Sequence, residues 1–162
     1  MKRVVAICAV SAVLGLTVLP AGAEMSIEAA RASIGPFYNA LNAEFAKESP
    51  ELIKLSTAPN WVSCGGNNAC NTREEVISGI AQRLKSVPDL KWEIKEVLVA
   101  GNRVTVRGEA TGTPAGEFMG AAHSGKSFKV MSIDVHTLDR GKMVRSYHIE
   151  DWMGAVRQLT AN

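Results

Sequence analysis

Apolar positions first recur in steps of three and four, then switch to strict alternation, and the switch divides the chain. Ile27, Ala30, Ile34, Phe37, Leu41 and Phe45 follow the helical period, with Ser26 placed to cap the start. Gly35–Pro36 interrupts that stripe. Proline lacks the backbone donor and crowds the preceding turn, so the spacing predicts a kink, or a fresh start with Pro36 at the first helical position. Ser49–Pro50–Glu51 is a second start signal, and Leu52, Ile53 and Leu55 give a short helix one buried side. Ala58 to Asn71, rich in glycine and asparagine, reads as loop. Thr72 and Glu75 then form a capping box ahead of Val76, Ile77, Ile80, Leu84 and Val87, and Pro88 ends that helix.

From Leu90 the period is two. Leu90, Trp92, Ile94, Glu96 and Leu98 alternate with Lys91, Glu93, Lys95, Val97 and Val99, which describes a half-buried strand. Gly101–Asn102 turns the chain into a second strand carrying Val104, Val106 and Ala110. A glycine-rich loop, Gly112 to Gly125, holds Phe118 and Met119. Two further strand-like runs flank Asp139–Arg140–Gly141, punctuation that closes an antiparallel pair. Trp152, Ala155, Val156 and Leu159 fall on one side of a terminal helix that begins at Asp151. Helices first and antiparallel strands after them predict an α+β fold, a curved sheet with helices gathered on its concave face. Such a sheet encloses a cone whose apolar interior suits a small molecule.

The last hairpin carries the candidate chemistry. With Leu138 opposite Met143, alternation puts Asp134, His136, Tyr147, Ile149 and Asp151 on one face. Two carboxylates, an imidazole and a phenol among apolar neighbours make an acid/base pocket, or else a wet sheet face. His148 then points the other way, and no role is assigned to it. Each candidate has a plainer alternative. Asp151 can simply cap the terminal helix, Asp134 can pair with a cross-strand cation such as Arg145, and His136 can be a satisfied strand histidine. Trp61, Trp92, Tyr38 and Phe118 read as core or cone lining.

The first residues change the compartment. Lys2 and Arg3 precede an apolar run from Val4 to Leu19, then Pro20 and small residues ending at Ala23. This describes a cleaved secretory signal over residues 1–23, leaving 24–162 as one α+β domain, periplasmic or secreted. No later run is long and apolar enough to span a bilayer. Of 18 Lys+Arg and 16 Asp+Glu, the signal removes two cations, so the formal charge falls from +2 to zero. No electrostatic footprint for nucleic acid remains. Cys8 leaves with the signal, and Cys64 and Cys70 make an even pair, which in an oxidising compartment favours a disulfide. Closing so small a ring contributes ~2 kcal/mol by chain entropy. No glycine-rich phosphate loop or metal-ligand cluster implies a metal or other cofactor.

The run from Gly112–Thr113 through Gly116–Phe118–Gly120, Ser124–Gly125–Lys126, Ile133–Asp134, Gly141–Lys142–Met143, Tyr147, Asp151 and Gln158–Leu159 resembles the C-terminal half of the SnoaL-like polyketide cyclases. PFYNALNA and SVPDL are looser echoes upstream. The resemblance implies a cone-shaped fold shared with ketosteroid isomerase and nuclear transport factor 2. It implies acid/base chemistry on a small apolar carbonyl compound, with Asp151 as acid/base and His136 or Asp134 assisting. Ketosteroid isomerase's oxyanion aspartate resembles Asp134, while its tyrosine falls near Phe37–Tyr38, and the better aligned of the two is Phe37, which has no hydroxyl; a steroid isomerase is disfavoured on that ground. The family usually has Trp where this chain has Tyr147, and Cys64, Cys70 and the export signal depart from its cytoplasmic enzymes. Relatives often dimerise through the sheet, which implies a homodimer. A non-catalytic ligand-binding or dimeric interaction module stays open beside the enzyme, because fold does not dictate function.

Overall fold

The computed structural model describes residues 25–161; the expected signal segment lies outside them. Helix α1 (Ile27–Ala40) starts at Ser26, whose hydroxyl accepts from the Ala29 amide. No fresh start occurs at Pro36. Helix α1 runs through Pro36, and the carbonyl that loses its donor belongs to Ala32, an exposed residue where water can serve instead. A short 3-10 turn (Ala43–Phe45) leads to α2 (Ser49–Ser56). Helix α3 (Arg73–Ser86) opens with the capping box of Thr72 and Glu75. Helix α4 (Trp152–Thr160) opens at Asp151.

Six strands complete the α+β fold: β1 (Thr57–Cys64), β2 (Cys70–Thr72), β3 (Lys91–Ala100), β4 (Arg103–Gly112), β5 (Phe128–Asp139) and β6 (Lys142–Glu150). They form one sheet in the order β2-β1-β6-β5-β4-β3. All neighbours are antiparallel except β1 and β6, which run parallel, so the sheet is mixed. Strands β1 and β2 occupy the stretch expected to be loop. Pro59 and Asn60 sit where pairing with β6 is interrupted between Thr57 and Val62, so Pro59 removes no ladder bond there. Cys64 and Cys70 face each other across β1 and β2 and are bonded.

The buried residues fall into two groups. One joins Ala30, Ile34, Phe37 and Tyr38 of α1 to Ile53, Trp61, Val104, Val106 and Leu138. The other joins Leu84 and Val87 to Ala110, Phe118, Phe128, Val130, Ala155 and Leu159. Each fully buried aliphatic side chain here stabilises by roughly 1.5–3 kcal/mol. Half-buried Ile80 packs against both groups, and the cavity described next opens between them.

Register matters most in the last hairpin. Arg140 (φ 48°) and Gly141 (φ 75°) form a two-residue turn with both residues left-handed, the type whose twist suits a hairpin. Leu138 does sit opposite Met143, as expected. The next pair is Thr137 with Arg145, so Val144 is an extra residue, a bulge. Beyond it every β6 side chain is on the face opposite to the one expected. Asp134 lies across from His148, His136 across from Ser146, and Ser132 across from Glu150.

Candidate active site

A cavity of about 260 Å³ lies between the inner sheet face and α3. Its sheet wall presents Asp134 and His136 from β5 and Ser146, His148 and Glu150 from β6. Helix α3 supplies Val76, Ile80 and Arg83, and Phe37, Trp92 and Trp152 close the apolar sides. The wall is therefore polar on one side and greasy on the other.

A hydrogen-bond chain runs behind the polar wall. Trp61 Nε1–H donates to Ser146 Oγ (2.9 Å), and Ser146 Oγ meets His136 Nδ1 at 2.8 Å. His136 Nε2 meets the Tyr38 hydroxyl at 3.1 Å, and Tyr38 donates to Asp134 Oδ2 at 2.9 Å. Tyr38 gives its one hydrogen to Asp134 and so accepts from Nε2–H, and burial keeps His136 neutral, so the remaining directions follow. Ser146 donates to Nδ1, Nε2–H donates to the tyrosine oxygen, and His136 is neutral with its proton on Nε2. Burial pushes the His136 pKa down to about 3, with nearby His148 adding to the effect. It also raises the Tyr38 pKa, reinforced by Asp134, which keeps the phenol a donor.

Asp134 ends the chain. Burial, helped by the Glu150 charge, lifts its carboxyl to about 6 against the pull of the bonds from Tyr38 and Ser132 and the charge of His148. Both bonds fall on Oδ2, from Tyr38 (2.9 Å) and Ser132 (3.2 Å). Every fully buried side-chain oxygen or nitrogen among the described residues has a partner. Oδ1 has none, so it is the oxygen that opens onto the cavity. Gly108 makes the Ser132 contact feasible, because a Cβ there would lie 2.5 Å from Ser132 Oγ.

His148 stands across the strand pair from Asp134. Its Nδ1 bonds Glu150 Oε1 at 3.0 Å; that bond raises its pKa, against the opposing effect of burial and with help from the Glu150 and Asp134 charges. Gly65, the first residue inside the disulfide ring, lies over the imidazole: a Cβ on it would be 3.5 Å from Cε1 and Nε2.

A family model of the SnoaL-like polyketide cyclases matches residues 38–159. The chain belongs to that family. Solved SnoaL-like structures share the fold at low identity. A candidate SnoaL-like polyketide cyclase from Jannaschia sp. CCS1 superposes with a TM-score of 0.72 at 20% identity, over 87% of this chain and 99% of that one. IdmH, a candidate polyketide cyclase from Streptomyces antibioticus, gives 0.69 at 23%, over 79% and 96%. AclR of Streptomyces galilaeus, a candidate hydroxylase, gives 0.70 at 23%, over 83% and 97%. No curated protein matches the sequence. A cyclase and a hydroxylase candidate on one backbone leave the chemistry of this SnoaL-like chain to its own side chains.

Those side chains are only partly the expected set. Asp134 and His136 do share the cavity wall. Tyr38 and Trp61 stand behind it, joined to it by the hydrogen bonds above. Phe118 is core, stacked on Phe128 and under the Arg83 guanidinium. Tyr147 and Ile149, expected in the pocket, lie on the outer sheet face, 41% and 71% exposed, because the Val144 bulge inverts their parity. Asp151 likewise sits outside the cavity: it is exposed, and its Oδ1 accepts from the Gly154 amide at 2.8 Å as the cap of α4. Expectation missed Ser146, His148, Glu150 and Arg83. Three share one strand parity, a pattern visible in the sequence once a bulge is allowed. The tyrosine set second to Phe37 is the one that reaches Asp134.

Proposed function

We propose that this SnoaL-like protein is an exported acid/base enzyme that moves a proton next to the carbonyl of a small, largely apolar compound, an aldol-cyclase or isomerase-type reaction. The observation that carries the reading is Asp134 Oδ1, a carboxylate oxygen with no protein partner, on the polar wall of a half-apolar cavity beside a histidine with a raised pKa. Near neutral pH a carboxyl titrating at about 6 is mostly ionised, yet far more basic than an exposed one. Asp134 Oδ1 takes the proton from carbon. His148, held by Glu150 through Nδ1, offers Nε2–H as a hydrogen bond to the enolate oxygen, and Asp134 returns the proton it took as the new bond forms. Paired groups whose surroundings set them to opposite charge are the usual division into base and acid. His136 and Tyr38 hold Asp134 in place, and in this reading Asp151 keeps to its cap.

Asp134→Asn should lower turnover by roughly 10²–10⁴-fold with little change in ligand affinity, whereas Asp151→Asn should leave turnover nearly intact. Full turnover in Asp134→Asn would end the proposal. The rate should rise with pH through about 6 and fall above the raised pKa of His148, a bell. The reading includes export, supported by the apolar run from Val4 to Leu19 and by the Cys64–Cys70 bond. It also includes a homodimer through the outer sheet face, where Met131, Ile133, Tyr147 and Ile149 are exposed together on β5 and β6. The same cavity without catalysis would serve as a carrier of a small hydrophobic ligand; saturable binding unaffected by Asp134→Asn, with no turnover, is its signature.

A further inference from the structure

Among the described residues that line the cavity, Arg83 is the one cation apart from the histidines. It reaches the cavity from α3 and is half-buried. Its guanidinium lies 4.5 Å from the Trp152 ring centroid and 5.2 Å from that of Phe118. The guanidinium carbon lies over both rings, which stand at 64° to each other, and none of the N–H donors along its edge bonds another of the described residues. No carboxylate within the described residues takes that edge. Glu150, the nearest acid in charge terms, is bonded to His148, and Glu75 is occupied by the Thr72 amide and hydroxyl. A planar donor fork held against aromatic walls, in a cavity of this size, matches one chemical group best, a carboxylate taken in bidentate fashion.

We propose that the substrate is a keto acid: an apolar body carrying the reactive carbonyl at Asp134 and His148, with a carboxylate that Arg83 binds at the other side of the cavity. This rests on the acid/base reading for the carbonyl end; the carboxylate end stands on Arg83 alone. Arg83 is a binding residue here and touches none of the reacting atoms. Its place on α3, while Asp134 and His148 belong to the sheet, makes the separation of carboxylate and carbonyl a specificity feature.

The test compares γ-oxooctanoate with its primary amide, a neutral near-isostere, by calorimetry at pH 8 on the mature protein. The acid should bind roughly tenfold or more tighter than the amide, the usual range for a charge-assisted pair. Arg83→Met should erase that preference while leaving amide affinity within about twofold, and Arg83→Lys, which keeps the charge but loses the fork, should keep part of it. Asp134→Asn should preserve the preference in full. Equal binding of acid and amide by the wild type overturns the proposal, as does a preference that survives Arg83→Met. Should Arg83→Met not fold, a preference undiminished in Arg83→Lys overturns it and a weakened one supports it. A carboxylate preference without any turnover would sink the acid/base reading and leave this inference standing.

Discussion

His136 is fully buried, neutral and bonded at both ring nitrogens, and this has a consequence for stability that can be worked out by sign. Its pKa is about 3 in the folded protein and 6.5 ordinarily. Between those values the unfolded chain binds a proton that the folded one refuses, so this contribution is complete above pH 6.5 and drains away as pH falls toward 3. Asp134 works in the other direction. Raised from 3.8 to about 6, it favours the folded state at low pH and loses that contribution as pH climbs through the same window. In urea denaturation across pH, wild-type stability should therefore change little between pH 4 and 6. His136→Phe, stripped of the opposing slope, should grow less stable over that interval. Gly108 gives a second check. In Gly108→Ala the new methyl would displace Ser132 Oγ from Asp134, so the carboxyl should titrate above 6, seen by carbon NMR, with a stability loss of about 1 kcal/mol.

Elements were readable where a local rule governs them. Ser26, Thr72–Glu75 and Asp151 cap three of the helices as their side chains suggest, and the alternation from Leu90 onward does mark β3 and β4, although a bulge at Lys95 turns Val97 inward and leaves Leu98 exposed, the reverse of the expected parity. What escaped is what depends on distant partners. Strand β1 looks like loop until β2 and β6 flank it, and α1 tolerates Pro36 because its freed carbonyl faces water. The Val144 bulge is the costliest of these, for it leaves no residue-level signature and yet decides which half of β6 faces the cavity. Asp134 and His136 could be foreseen from parity on β5 alone; His148, Glu150 and Ser146 could not, and Arg83 becomes visible only once α3 is docked on the sheet. The β1–β2 connection yields a prediction of its own. Replacing Cys64 and Cys70 by serine should lower unfolding free energy by about 2 kcal/mol, read from denaturation midpoints with and without reductant.

For the whole molecule, the sheet divides two kinds of business. Its inner face holds the charged and hydrogen-bonding groups in a partly dry pocket, and its outer face carries an apolar row in which Ile133 pairs with Ile149 and Val135 with Tyr147. Exposed apolar surface of this kind ordinarily marks an interface. If two copies meet there, Ile149→Lys should shift the mass in sedimentation equilibrium from dimer to monomer while leaving ligand affinity almost unchanged. A wild type that sediments as a monomer would remove the dimer from the picture.

One extra residue in β6 has a longer reach than any single side chain. Adding or losing a position between Gly141 and Arg145 would trade serine, histidine and glutamate for arginine, tyrosine and isoleucine along the wall in a single event. Descendants of this hairpin would therefore change chemistry by leaps in spacing, with point substitution left to tune whichever face is showing.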